Sequence, residues 1–155
     1  MTGEPTPGTP IARLAAMAFR TLMDDVHAQL EKRGFRDVGA SFGYVVLEAR
    51  SGNLGVTDVA RLLGISKQAA SKLVSSMQQC GYLNAVHSAD QRERRVEISA
   101  RGRRLLDNVE AIYRDLEAQW AQVIGEQAVE AMRRDLTAVL VARHGALPPV
   151  RPTRR

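Results

Sequence analysis

The sequence is poor in the residues that build disulfides, metal centres and membrane spans. Its single cysteine, Cys80, excludes an internal disulfide framework and a cysteine-based zinc site. The three histidines lie far apart and show no metal-ligand spacing, so we expect neither a metal nor a cofactor. No apolar run approaches the roughly 18 residues of a membrane span, and residues 1–10 lack the basic and apolar parts of a secretory signal. These absences predict a soluble cytoplasmic protein without a membrane partner.

Catalytic groupings are missing as well, since the sequence shows no Ser/His/Asp set, no paired carboxylates and no glycine-rich phosphate loop. We therefore expect no enzymatic activity. Aromatic residues make up only 5% of the chain, but apolar residues make up 45% of its 155 residues, which is enough for the core of one compact protomer. The abundance of Ala, Leu, Arg and Gln favours helices.

Positive charge is concentrated in the centre of the chain. The net charge is +5 overall, and residues 61–104 hold nine Lys and Arg against three Asp and Glu. In contrast, residues 105–142 hold three basic and seven acidic residues. Between Arg61 and Ala89 there is no acidic residue at all. A central segment with this charge favours a polyanionic partner, and nucleic acid is the partner that we expect.

Apolar residues that recur every three or four positions predict four helices outside this central segment. The terminal helices carry apolar stripes that are too wide for one small protomer to bury, which predicts an interface with a second copy. Residues 1–10 and 145–155, rich in Pro and Gly, are expected to be flexible tails, and the second tail is basic. The helices are predicted over about Ile11–Arg33, Ser41–Arg50, Ala100–Val123 and Glu126–Arg143, with Ser41 and Ser99 as N-caps.

The central segment begins with two helices joined by a tight turn. Thr57 is the expected N-cap of a short helix that ends at Gly64, and Ile65 is expected to pack into the corner between the helices. Ser66 is the expected cap of a longer helix that ends at Cys80. Two helices in this arrangement form a helix-turn-helix.

The longer of the two helices has an outward face that suits the major groove of DNA. Gln68 can pair with adenine through two hydrogen bonds, whereas Lys67 and Lys72 can reach guanine or a phosphate. An ordinary solvated helix face mixes Glu with Lys, and this face has no Glu. The candidate DNA-binding residues of this helix are Ser66, Lys67, Gln68, Ser71, Lys72 and Ser75.

A β-hairpin is predicted directly after the helix-turn-helix, from two short strands at Tyr82–His87 and Arg95–Ser99. The loop between the strands is basic, and Arg92 at its tip is the candidate for insertion into a narrow minor groove. Asp90 is expected to pair with one of the arginines and to stiffen the loop. The candidate wing residues are Asp90, Arg92, Arg94 and Arg95.

Together these elements predict a mostly α fold with a small β-hairpin wing. We expect a single protomer over residues 11–143, with a winged helix-turn-helix at about 41–99. The helices at about 11–33 and 100–143 form the predicted dimerisation region.

The central segment contains a set of spaced residues that form a pattern together. They are Val59-Ala60, Leu63-Gly64-Ile65-Ser66, Leu73-Val74, Met77, Gly81-Tyr82-Leu83, Asp90-Gln91-Arg92, Val96, Ile98, Ser99 and Gly102. This pattern resembles the MarR family of bacterial regulators, and the resemblance is specific over about residues 57–102. The chain departs from the family where Met77-Gln78 replaces the usual Leu-Glu, and where an Arg usually found soon after the following turn is missing.

The resemblance implies a homodimer whose two recognition helices and two wings meet a pseudo-palindromic operator on double-stranded DNA. It implies a transcription regulator, most often a repressor, and a small aromatic ligand that releases it. Other family members sense oxidants through cysteine, so either a sensing role or ordinary packing stays open for Cys80. The alternative function is that of a winged-helix adaptor that binds proteins and no DNA. The basic hairpin and the acid-free helix favour the regulator.

Overall fold

The computed structural model of the chain describes residues 8–87 and 94–150. In this part of the chain six helices accompany a small three-stranded sheet, which confirms the predicted mostly α fold. None of the described helices is both long and apolar enough to cross a bilayer. The elements are α1 (Ile11–Lys32), α2 (Phe42–Ala49), β1 (Leu54–Gly55), α3 (Val56–Leu63), α4 (Lys67–Gln79), β2 (Leu83–Val86), β3 (Arg95–Ile98), α5 (Ala100–Ile124) and α6 (Glu126–His144).

Residues 1–36 and 37–155 form two compact units. The first unit contains α1, which begins and ends within one residue of its predicted bounds. The first half of α1 presents apolar side chains to solvent, and the exposed fraction of Ile11 is 79%. Leu14, Met17 and Phe19 are exposed as well. The apolar stripe predicted for this helix is therefore uncovered over its first half.

The second unit has an apolar core to which α2, α3, α4, α5 and the sheet contribute. Residues that recur at helical spacing turn the same side of each helix towards this core. In contrast, α6 has no buried residue. The fully buried side chains of the core include Val45, Val46, Val59, Val74, Met77, Tyr82, Val96, Leu105 and Ile112.

The sheet contains the predicted hairpin and one strand that the sequence did not reveal. β2 and β3 pair antiparallel, with Leu83 opposite Ile98, and β1 lies on the other side of β3. Leu54 of β1 is paired with Val96. Because β1 has only two residues, it is too short to show the polar–apolar alternation that identifies a strand.

Two of the predicted N-caps are confirmed by hydrogen bonds. The Ser66 hydroxyl accepts from the backbone N–H of Ala69 at 3.1 Å, at the start of α4. The Ser99 hydroxyl accepts from the N–H of Gly102 at 2.9 Å, at the start of α5. Each serine thereby satisfies one of the donors that the first turn of a helix leaves without a helical partner.

Of the other two predicted caps, one has the right position and one is wrong. Ser41 is at the N-cap position of α2, but its side chain makes no capping hydrogen bond. Thr57 lies inside α3, because that helix begins at Val56, directly after β1. The extended Gly55 occupies the cap position, and the Asp58 carboxylate accepts from its N–H at 2.9 Å. An acidic side chain of the first turn thus replaces the hydroxyl that the sequence predicted.

The turn between α3 and α4 differs from the prediction at one residue. Gly64 ends α3 in the left-handed conformation, with φ +66°, as expected of a glycine at this position. Ile65 donates its N–H to the Ala60 carbonyl at 3.1 Å, which closes the turn. Its side chain is exposed rather than packed into the corner, because the turn directs it outwards.

A close backbone contact joins the end of α4 to the start of α5. Gly81, with φ +79°, ends α4, and the carbonyl of Tyr82 accepts from the N–H of Ser99 at 3.1 Å. The Ser99 hydroxyl donates to the Gly81 carbonyl at 2.5 Å. A Cβ added to Gly102 would lie 2.4 Å from the backbone carbonyl oxygen of Tyr82 and 2.8 Å from the Ile98 side chain. Only glycine therefore allows the first turn of α5 to approach Tyr82 this closely.

We expect Gly102→Ala to destabilise the protein by about 1–3 kcal/mol, because the added methyl group overlaps backbone that has little room to move. Gly43→Ala is the matched control. Gly43 lies in α2 with no atom within 4 Å of an added Cβ. That change should leave stability unchanged or raise it by up to about 1 kcal/mol. Urea denaturation of the two variants measures the difference, and equal effects would contradict the close contact.

Candidate nucleic-acid interface

The first two turns of α4 present a polar, basic surface to solvent. Ala70, Val74 and Met77 have no exposed surface, so the opposite side of the helix faces outwards. The side chains on that side belong to the predicted DNA-binding set. Ser66, Lys67, Gln68 and Lys72 are exposed, and Ser71 and Ser75 are half-buried.

The charge of this surface is not neutralised within the described part of the chain. No described carboxylate forms an ion pair with Lys67 or Lys72. The acidic residue of the neighbouring α3, Asp58, is held by the Gly55 N–H and by Arg61 at 3.4 Å. Within the described residues, no carboxylate therefore offsets the charge of these two ammonium groups.

Arg94, at the entry to β3, is bonded to α4. One of its guanidinium N–H groups donates to the Ser75 hydroxyl at 2.9 Å, and another donates to the Gln78 side-chain oxygen. The Ser75 hydroxyl in turn donates to the Ser71 carbonyl at 3.0 Å. Two residues predicted to bind DNA, Ser75 and Arg94, are thus bound to each other.

Arg95 points to the other side of the strand, towards the loop that precedes β1. Its Nε donates to the Asn53 side-chain oxygen at 2.8 Å, and its terminal nitrogen donates to the Asn53 carbonyl at 3.1 Å. The same guanidinium lies 3.9 Å from the Asp58 carboxylate. Arg95 therefore connects β3 to the start of the helix-turn-helix.

The remaining predicted wing residues, Asp90 and Arg92, lie outside the described residues. The expected pairing of Asp90 with one of the arginines stays a prediction. Sequence analysis missed Gln78 and Asn53, the partners of the two described arginines. Both are neutral amides, and Asn53 belongs to no motif in the sequence. At Gln78 the one signal was that it replaces the Glu usual in the family.

A buried tyrosine anchors the end of α4 to two other segments. The ring of Tyr82 meets that of Phe42 edge-on, with centroids 5.7 Å apart, and its hydroxyl donates to the Asp37 carboxylate. Arg101 donates to both Asp37 oxygens at 3.0 and 3.1 Å, and its guanidinium carbon lies 4.8 Å from the centre of the Tyr82 ring. The loop before α2, the exit of α4 and the first turn of α5 therefore share one polar cluster.

The cluster shifts the pKa values of Tyr82 and Asp37. Burial of Tyr82 and its hydrogen bond to Asp37 raise the pKa of the tyrosine from 10.0 to about 12. Burial acts to raise the pKa of Asp37 too, but the hydrogen bond from Tyr82 and the charge of Arg101 outweigh it, so the net pKa is lowered. Around neutral pH the cluster therefore holds a neutral phenol, a carboxylate and a guanidinium.

The described residues contain no group of three His, Cys, Asp or Glu that could hold a metal ion. Cys80, at the C-terminal end of α4, is a free, half-buried cysteine.

Comparison with known sequences finds a family resemblance in the centre of the chain. Residues 45–94 match the sequence profile of the MarR family. The matched segment runs from α2 to the start of β3 and includes both helices of the helix-turn-helix. Among curated proteins, none matches this sequence.

The fold is similar to those of several solved structures. Wild-type MarR from E. coli in its apo form is 16% identical, with 87% of this chain and 99% of that chain covered and a TM-score of 0.72. MepR from Staphylococcus aureus, a transcription regulator of the multidrug efflux pump MepA, is 18% identical, with 88% and 100% covered and a TM-score of 0.68. A MepR mutant bound to an oligodeoxyribonucleotide is also 18% identical, with the same coverage and a TM-score of 0.63. The predicted resemblance is confirmed, by the profile in the centre and by the fold over most of the chain.

Tyr82→Phe is expected to lower the free energy of unfolding by about 1 kcal/mol at pH 8, because the Asp37 carboxylate loses one donor. The pKa of Tyr82 is higher in the folded protein than its ordinary value of 10.0. Its hydroxyl therefore stabilises the fold fully below about pH 10, and this contribution is lost as the pH rises towards 12.

Urea denaturation of the wild type and of Tyr82→Phe at pH 8 and pH 11 measures this effect. The difference between the two proteins should be smaller at pH 11. Tyr44→Phe, which removes a hydroxyl outside the cluster, is the control. A Tyr82→Phe effect of the same size at both pH values would be inconsistent with the role given to the hydroxyl.

Proposed function

We propose that this chain, which resembles the MarR family in its central sequence and its fold, is a sequence-specific, double-stranded DNA-binding transcription regulator. The observation that carries the proposal is the exposed, acid-free face of α4, whose first turns present Lys67, Gln68 and Lys72. A helix of this kind enters the major groove with its N-terminal residues towards the base edges. A location in the cytoplasm, where bacterial DNA lies, accompanies this function.

The residues of α4 divide into two chemical roles in this proposal. Gln68 has both a donor and an acceptor and suits adenine, which presents the complementary pair in the major groove. Lys67 and Lys72 supply charge to guanine or to phosphates, and Ser71 is placed to donate a hydrogen bond. Gln68 therefore contributes sequence preference, whereas the lysines contribute mainly affinity.

Exposed apolar side chains support a homodimer. On α6 the exposed fractions of Leu136 and Val139 are 52% and 67%, and at the end of α5 that of Val123 is 84%. Together with the exposed first half of α1, this is more apolar surface than a soluble monomer usually leaves uncovered. Two copies of α4 in a symmetric dimer would read two half-sites, so the operator is expected to be pseudo-palindromic.

We further propose that the dimer is a repressor released by a small aromatic ligand. The support comes from α5, whose first turn is bonded to the exit of α4 and whose far end carries the exposed Val123 and Ile124. A ligand that shifts α5 within the dimer would change the spacing of the two copies of α4. Footprinting of the DNA upstream of the gene, with and without a panel of small aromatic acids, tests this release.

Binding to a duplex that carries the region upstream of the gene should weaken steeply with salt, because each neutralised phosphate releases counterions. Lys67→Ala is expected to reduce the slope of log K against log salt by roughly one for each phosphate that the lysine neutralises in the wild type. Gln68→Ala should instead reduce the preference for the specific site by about 1–3 kcal/mol.

Fluorescence anisotropy over a salt series measures both effects. Gln79→Ala, at the exposed far end of α4, is the control. A wild-type protein that binds no duplex, or binds it without salt dependence, would overturn the proposal and favour the adaptor function.

Sedimentation velocity at micromolar concentration should give twice the chain mass of 17.0 kDa. Leu136→Glu is expected to shift the protein towards the monomer, because a carboxylate replaces an apolar contact. Ala138→Glu lies outside the apolar stripe of α6 and serves as the control. A stable wild-type monomer would contradict the dimer.

A further inference from the structure

Arg94 differs from Lys67 and Lys72 of the candidate interface, because two of its donors are already bonded within the protein. Its two terminal nitrogens bond two different residues of α4, Ser75 and Gln78. These acceptors lie three residues apart, on the same side of the helix. The guanidinium therefore forms hydrogen bonds to two residues of one turn of α4 rather than to a single atom.

The backbone at this position is held as well. The carbonyl of Arg94 accepts from the N–H of Val56, the first residue of α3, at 3.3 Å. The next residue, Arg95, turns to the opposite side of the strand and bonds Asn53. The entry to β3 is thus fixed to α3 through its backbone, to α4 through Arg94 and to the loop before β1 through Arg95.

We infer that Arg94 is a positioning residue of the DNA-binding surface, which sets the hairpin strands on α4 through Ser75 and Gln78 instead of contacting DNA itself. This inference rests on the proposed function and refines it, because Arg94 and Ser75 leave the set of DNA contacts. Gln78 becomes a second positioning residue, because its side-chain oxygen accepts a hydrogen bond from Arg94.

The chemistry of the contact separates a positioning role from a phosphate contact. Both acceptors are neutral, so the bonds use the geometry of the guanidinium and leave its charge in place. Arg presents a planar fork that reaches two acceptors at once, whereas Lys carries the same charge as a single point. Arg94→Lys therefore keeps the charge and removes the fork, and Gln78→Ala removes an acceptor without changing any charge.

The test measures binding to a duplex from the region upstream of the gene, over a salt series. Arg94→Lys and Gln78→Ala are each expected to weaken binding about 3- to 10-fold, as for the loss of an ordinary hydrogen bond, with an unchanged salt slope. The double variant should bind no more weakly than the weaker single variant, because both changes remove the same interaction. Gln79→Ala, the exposed neighbour of Gln78, is expected to bind like the wild type.

The opposite pattern would overturn the inference. If Arg94 contacts a phosphate, Arg94→Lys binds like the wild type, Gln78→Ala has no effect, and Arg94→Ala lowers the salt slope by roughly one.

A measurement without DNA separates this inference from the proposed function. In hydrogen exchange of the free protein, the amides of β2 and β3 should exchange faster in Arg94→Lys and Gln78→Ala than in the wild type and in Gln79→Ala. Faster exchange in a protein that binds no duplex would support the positioning role and refute only the function. Unchanged exchange would overturn the positioning role, whatever the protein binds.

Discussion

The contact of the Tyr82 carbonyl with the first turn of α5 is the constraint on which the position of the candidate interface depends. Gly102 allows the approach, Ser99 bonds both sides of it, and the Tyr82 side chain extends from the same point into the cluster with Asp37 and Arg101. The C-terminal end of α4, the helix that presents the candidate contacts, is therefore fixed by the Tyr82 carbonyl, the Ser99 hydroxyl and the Tyr82 ring together. Its orientation follows that of α5.

Much of the fold was predictable because it depends on local signals. Apolar periodicity gave the helices to within a few residues, and glycines marked their ends. Ser66 and Ser99 cap helices because each has extended backbone itself and precedes a first turn whose N–H groups lack helical partners. The prediction of Thr57 as an N-cap was wrong because β1 extends the backbone up to Gly55, which takes the cap position. A strand of two residues forms through its pairing with β3, and a local sequence pattern does not contain that pairing.

The candidate interface was predictable in its charge and only partly in its geometry. Lys67, Gln68 and Lys72 lie on the outward face that helical spacing requires. The partners of Arg94, by contrast, are a serine and a neutral amide brought near by the return of the hairpin, and Tyr82 was expected to be merely the first residue of a strand. Contacts over long sequence separations of this kind have no periodic signature. The central position of Tyr82 emerges only when α2, α4 and α5 are seen together.

The division of α4 into two independent surfaces has a consequence for how such a protein changes over evolutionary time. Its placement is secured by Ala70, Val74 and Met77 within the core and by the bonded residues at its two ends. Among the described contacts, the outward side chains of Lys67, Gln68 and Lys72 take no part in that support. In the proposed regulator, substitutions there would redirect DNA binding to another set of genes while the scaffold stays intact. A duplicated copy of this chain would need few changes, confined to one exposed strip, to acquire a target of its own.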